Sequence, residues 1–278
     1  MLRPHCMPKI LIAIVLALNG ALHAAPVTFC ATGDGPRSPE EFTLIAGWFA
    51  APNLLSGCAF LLHTGDLCAG STHFDRAYSD SVEALYRQSP LPVVFVVGDN
   101  EWNDQENPAE GWENWSRGFL NFDRHFPQGP KPARQPERPE NLAWMTDRVL
   151  FIGLNLVGGN VHDASEWRLR HGQNLAWVKQ QLDGAPAARA AVVFAQAKPT
   201  DKHADFFPAF IKCVREWKKP VMYLHGDGHK WQWEPGWKAP NLTRVQVDQV
   251  SKAPPVHITV GDEGAPQFVF DRKLYPNQ

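Results

Sequence analysis

A chain of 278 residues, 44% hydrophobic and 20% charged, is long enough to bury a full core as one large domain or two small ones, which excludes a disordered tail, collagen and a coiled coil. With 27 Lys and Arg against 29 Asp and Glu it lacks the basic excess of a dedicated nucleic-acid binder.

The first residues read as an address rather than as part of a fold. Arg3 and Lys9 precede the apolar run Ile10 to Leu18, and the small-residue stretch Ala21-Leu22-His23-Ala24-Ala25-Pro26 follows, the three-part pattern of a secretory signal. The run is less than half of the roughly 20 residues that a membrane-spanning helix needs. The expectation is cleavage after Ala24, a secreted or periplasmic product with no stable membrane insertion, and a single domain over residues 25–278. Cleavage removes Arg3, Lys9 and Cys6 but no acid, so the mature chain is more acidic than the precursor.

Short runs rich in Val, Phe, Ile and Leu then recur at Val27 to Thr32, Cys58 to His63, Pro92 to Val97, Val149 to Asn155, Ala190 to Ala195 and Pro220 to Leu224. Runs of this length bounded by Gly or Asp predict strands buried on both faces. Helical patterns lie between them. Ser38-Pro39-Glu40-Glu41 is a capping box with Pro at the first helical position, and Phe42, Ile45, Ala46 and Phe49 follow along one face. Phe74, Tyr78, Val82 and Leu85 repeat the spacing, as do Leu175, Val178 and Leu182, and then Phe206, Phe210, Cys213 and Trp217. After residue 218 short strands predominate, at Leu242 to Val250, Val256 to Val260 and Gln267 to Asp271. Alternation of this kind predicts an α/β architecture of sheets covered by helices. A Pro- and Trp-rich insertion at about 103–141 interrupts it and reads as a flap or a wandering loop, with one short helix through Trp115, Phe119, Phe122 and Phe126.

Cys30, Cys58, Cys68 and Cys213 remain after cleavage, and an oxidising compartment allows one or two disulfides among them. Cys58 and Cys68 flank one strand and its turn, which favours that pairing; four buried thiols are the alternative.

The chemistry collects where strands stop. Asp34, Asp66 and Asp99 follow the first three strands, each beside a Gly, and a fourth such turn, His225-Gly226-Asp227-Gly228-His229, follows a later one. Any one Gly-Asp step is a common turn. Four of them at strand ends, which border the ligand crevice in open α/β sheets, point to convergence on a site. Crowded carboxylates raise one another's pKa unless cations sit among them, so a metal is the economical answer. An oxygen-rich donor set with one imidazole, His229, suits Mn, Mg, Fe or Zn better than a thiol-seeking ion.

The order Asp34, Gly65-Asp66, Gly98-Asp99-Asn100-Glu101 and Gly226-Asp227-Gly228-His229 resembles the calcineurin-like metallophosphoesterases, whose pattern is D-x-H, G-D, G-N-H-D/E, a later His, and G-H-x-H. More narrowly, Gly98 to Asp104 and Leu224 to His229 resemble a secreted or periplasmic bacterial subgroup with GDNEW and HGD-x-H signatures. The resemblance implies a four-layer αββα sandwich and a site for two divalent ions, Mn, Mg, Fe or Ca in preference to Zn. It implies hydrolysis of a small phosphate mono- or diester by a metal-activated hydroxide. Carried over residue by residue, Asp34 would hold the first ion and Asp66 would bridge both. Asp99 would stand for the usual Asn, Asp227 for the first His of G-H-x-H, and His229 matches the second. Pro36 replaces the His of D-x-H, Asn100 replaces the family's acid or phosphate-steadying His, and Gln196, through its amide oxygen, would be the ligand left where the later His belongs. Loss of a general acid typically slows such chemistry by ~10²- to 10⁴-fold. Glu101 or His225 could take over the proton transfer, with His225 alternatively orienting the metal ligands. Asn155, Asn160, His162, Asp163 and Glu166 are further loop candidates, and Trp231, Trp233 and Trp237 either stack on a ring of a ligand or pack under a loop. A rival expectation is a catalytically degenerate member that binds metal and a carbohydrate or cell-envelope ligand, and a carboxylate-only glycosidase is a third. Oligomeric state is not legible in the chain.

Overall fold

In the computed structural model, which describes residues 25–51, 53–262 and 267–275, the apolar runs pair into two mixed sheets. The leader expected over residues 1–24 lies outside the described residues. Along the chain come β1 (Val27–Thr32), α1 (Pro39–Ala50), β2 (Leu61–His63), α2 (Arg76–Tyr86) and β3 (Val93–Phe95). A single π-helical turn, Asp99–Asn103, leads to α3 (Pro108–Phe119) and a 3₁₀ turn, Phe122–His125. Next are β4 (Ala133–Gln135), β5 (Arg138–Thr146), β6 (Val149–Gly153), α4 (Ala164–Gly184), β7 (Ala190–Ala195) and α5 (Phe207–Trp217). β8 (Val221–His225), β9 (Gln232–Glu234), β10 (Leu242–Gln246), β11 (Val256–Val260) and β12 (Phe268–Asp271) complete the chain. One sheet has the order β12-β11-β1-β2-β3 and the other β4-β5-β6-β7-β8-β10-β9.

Side-chain alternation along the strands sorts the core into layers. Phe29 and Ala31 of β1 and Phe60, Leu62 and Val94 face Phe151, Val192, Phe194 and Leu224 of the other sheet, and this inner layer holds the sheets together. The opposite faces meet helices. Cys30, Leu61, Val93 and Phe95 pack under α1, α2 and α3, while Ala191, Val193 and Tyr223 pack under α4 and α5. The result is a four-layer αββα sandwich.

Local signals explain the element ends. Ser38 Oγ accepts the Glu41 N–H, Pro39 opens α1, and Glu41 reaches back to the Arg37 N–H at 2.7 Å, a capping box displaced by one residue. The segment 103–141 differs from the expected loop. It holds α3, whose Trp115 and Phe119 are buried against the first sheet, and it contributes β4 and the start of β5. The polar, Pro-containing start Arg138-Pro139-Glu140 hid β5. Pro139 precedes the residues 142–146 that pair with β6, so no ladder bond is lost there.

The disulfide also differs from expectation. Cys30 pairs with Cys58, at a Cα–Cα distance of 5.8 Å, and Cys68 and Cys213 are free. β1 and β2 run parallel with Cys30 opposite Leu61, which brings the approach to β2 beside β1, whereas Cys68 lies beyond the far end of β2.

Candidate metal centre

The ends of β1, β2 and β3 in one sheet and of β6, β7 and β8 in the other converge, and the chain leaves each by a sharp turn. Asp34, Asp66, Asp227 and His229 all take positive φ, between 53° and 63°, a conformation that Asp tolerates better than most residues. Two glycines let these turns close on one another. A Cβ on Gly98 would lie 2.2 Å from the Asp66 backbone nitrogen, and one on Gly158 would lie 2.8 Å from Asp227 Oδ2 and 3.0 Å from Asp99 Oδ2.

Asp34, Asp66 and Asp99 are buried, and Asp227 is half-buried. Asp34 Oδ1 accepts the Asp227 N–H at 3.0 Å, while its Oδ2 is buried without any hydrogen-bond partner. One ligand atom each from Asp34, Asp66 and His229 falls within a 4.8 Å group. Burial raises every carboxyl of the cluster. Asp34 is pushed up to about 7 by burial and the Asp227 charge, against the Asp227 N–H, and Asp99 to about 10 by burial and then Asp66. Asp66 is raised by burial, Asp34 and Glu101, and Asp227 by burial against Lys198. A divalent cation among these groups would reverse that penalty. The unpartnered Asp34 oxygen and the donor chemistry of Asp34, Asp66 and His229 therefore fit one such ion.

Gln196 sits among the acids with the opposite polarity to the one expected. Its Oε1 accepts the Gly158 N–H at 2.6 Å, so its Nε2 faces Asp66 Oδ1 and Asp99 Oδ1, each at 3.2 Å. No amide oxygen is offered to a cation.

The residues considered for catalysis, Asn100 for a hydrogen bond to a phosphoryl oxygen and Glu101 and His225 for proton transfer, have other partners. Asn100 donates from Nδ2 to the Cys68 carbonyl. Glu101 accepts the Gly98 N–H on Oε1 and the Leu67 N–H on Oε2, clamping the turns after β2 and β3, and is pushed up to about 7 by burial against those N–H groups. His225 contacts the Gly226 carbonyl through Nδ1 and accepts the Arg244 Nε–H on Nε2, and burial and the Arg244 charge depress it to about 3. It is a neutral, fully engaged ring.

The other loop candidates have structural partners as well. Asn155 is buried and donates to Glu140, Asn160 donates to Asp104, Asp163 caps α4, and Glu166 pairs with Arg170 and Arg138. His162 is exposed, 3.4 Å from Asp104. Trp231 packs edge-on to Phe270 and Trp237 against Phe207, while Trp233 is half exposed.

Two cationic residues not singled out from the sequence border the cluster. Arg37 Nη1 donates to His229 Nε2 at 2.9 Å, and Lys198 donates its backbone N–H to Asp227 Oδ2 at 3.3 Å. A guanidinium only donates, so His229 is neutral with its Nε2 lone pair turned toward Arg37, and its pKa is lowered by burial and the Arg37 charge. A basic residue next to Pro36 in the turn after Asp34 was the available signal for Arg37.

No family model matches the chain, and a sequence search of curated proteins finds no match. Solved structures do. The chain is similar to GAP50, the anchor in the inner membrane complex of Plasmodium, with a TM-score of 0.61 and 10% identity over 91% of this chain and 86% of that one. It is similar to a dimetal phosphatase from Danio rerio with a TM-score of 0.60 and 12% identity, over 90% of this chain and 99% of the other. A 5′-nucleotidase from Candida albicans gives a TM-score of 0.55 at 12% identity, over 90% of this chain and 52% of the nucleotidase. At such identities the likeness is one of architecture: this sequence takes up the αββα sandwich of the metallophosphoesterase type.

Proposed function

We propose that this protein is a secreted or periplasmic metal-dependent phosphoesterase that hydrolyses small phosphate mono- or diesters with good leaving groups. The observation that carries the reading is Asp34 Oδ2, a buried carboxylate oxygen without a donor, grouped with Asp66 and His229 at converging strand ends. Asp34, Asp66 and His229 would hold a divalent ion, Mn or Mg given the oxygen-rich donors, which when bound polarises a phosphoryl oxygen and acidifies water. Arg37, whose guanidinium would have to leave the His229 Nε2 lone pair for an ion to take it, is placed to grip phosphoryl oxygens, and Lys198 adds a second positive charge. Glu101 holds the Asp66 and Asp99 turns at fixed separation. The fold shared with a dimetal phosphatase and a nucleotidase supports this reading.

Asn100 has no proton to transfer at neutral pH, and Glu101 and His225 are engaged elsewhere. Departure of the ester group must therefore rely on its own acidity, and aryl esters should outpace alkyl esters steeply. The test is an assay of aryl phosphate mono- and diesters with added Mn or Mg. Turnover that chelator abolishes and that Asp66→Ala lowers by at least ~10²-fold is expected; turnover indifferent to both would reject the reading and bring the glycosidase forward.

The engagement of Asn100, Glu101 and His225 with other partners also favours a second reading, a non-catalytic member that binds metal and a cell-envelope ligand. The Plasmodium protein of this fold is described as an anchor. Bound metal with no turnover above that of the free ion would support it.

A further inference from the structure

The acid cluster divides into two halves that differ in how their carboxylate oxygens are met. Around Asp34, a fully buried carboxylate oxygen has no donor, and Asp66 and His229 supply further ligand atoms within 4.8 Å, the His229 lone pair being one that the half-buried Arg37 side chain must give up. Between Asp66 and Asp99, the corresponding space already holds a donor. The Gln196 amide directs its two N–H groups at Asp66 Oδ1 and Asp99 Oδ1, 3.2 Å from each. Its orientation is set from behind, because the Gly158 N–H needs an acceptor and finds Gln196 Oε1 at 2.6 Å. Turning the amide over would oppose donor to donor and leave Gly158 unpaired in a buried place. An amide nitrogen offers a cation no lone pair, only the positive ends of its N–H dipoles. Asp227, on the same side, accepts the Lys198 N–H at 3.3 Å on Oδ2 and lies near the Lys198 and Lys202 charges.

We propose that the centre is mononuclear, one divalent cation held by Asp34, Asp66 and His229, with the Gln196 amide standing in for a second ion between Asp66 and Asp99. The inference departs from the two ions expected from sequence. It rests on the metal dependence proposed above and is independent of which reaction the centre serves.

Manganese titration of the whole protein, read by calorimetry and by electron paramagnetic resonance, tests it. One Mn per chain with the six-line signal of an isolated ion is expected in the wild type, and Asp34→Asn should lose it. Gln196→Glu keeps the size and the acceptor for Gly158 but turns an oxygen toward Asp66 and Asp99. That variant should take up a second Mn, with a spin-coupled signal. Two ions in the wild type overturn the inference, as does a Gln196→Glu protein of unchanged circular dichroism that still binds one. If Gln196→Glu does not fold, the wild-type stoichiometry decides alone. Two ions together with phosphoester turnover would leave the proposed function standing, one ion without turnover would leave only the mononuclear centre, and no ion would remove both.

Discussion

With Asp34 and Glu101 pushed up to about 7 and Asp99 to about 10, the folded chain holds protons that the unfolded chain, with carboxyls near 4, has released. Three buried imidazoles act in the other direction. His63 and His203 are lowered to about 4 and His225 to about 3, each mainly by burial, so their contribution to stability is lost as pH falls below 6.5. Above that value the unfolded imidazoles are neutral while the raised acids still titrate. Each proton retained by the folded state alone then costs about 1.4 kcal/mol of stability per pH unit as pH rises. Chelator-treated protein should therefore show a melting temperature that falls from pH 7 to pH 9, and added Mn should flatten the slope. A flat profile without metal would show that the acids are ionised for another reason.

At the scale of elements, the π-helical turn after β3 is the sensitive piece. Trp102 of that turn lies 4.9 Å from the Trp112 ring of α3 and 5.0 Å from the Arg170 guanidinium of α4, and Glu101 ties its base to the turn after β2. A Cβ at position 98 meets backbone at 2.2 Å, which cannot rotate away. Gly98→Ala should push Asp99 and Asp66 apart by enough to lower phosphoester turnover by about 10²-fold, with the far-ultraviolet circular dichroism retained. The bridge between β1 and the approach to β2 closes 28 residues. Its removal in Cys30→Ala should cost about 3 kcal/mol in urea unfolding, and a wild-type protein insensitive to reductant would contradict this.

Across the whole molecule, the centre depends on the contact between sheets, since Asp34, Asp66 and Asp99 leave one sheet and Gln196, Asp227 and His229 the other. Phe151 stands in that contact, stacked on Trp144 at 5.0 Å and edge-on to Phe29 and Phe60. Phe151→Ala should destabilise by about 3–5 kcal/mol and weaken Mn binding although it lies in the inner core. Trp233, half exposed on the β9 edge, should tolerate Ala within about 0.5 kcal/mol, and equilibrium unfolding of both variants tests the contrast.

Strand runs, helix faces and acids at strand ends were readable because each is a local pattern, carried by neighbours a few residues apart. Ser38 and Pro39 opening α1 and Asp34, Asp66 and Asp99 closing β1, β2 and β3 are of this kind. β5 escaped because its first residues are polar and contain Pro139, while its burial comes from β4 and β6 on either side. The partner of Cys58, the approach of Arg37 to His229 and the direction of the Gln196 amide belong to the other class. Each depends on segments 28 to 192 residues apart being brought within a few ångströms. No linear pattern encodes that Gly158 would need the Gln196 oxygen. Packing of two sheets turned an expected ligand into a donor, because a buried N–H must be satisfied before a distant cation can be.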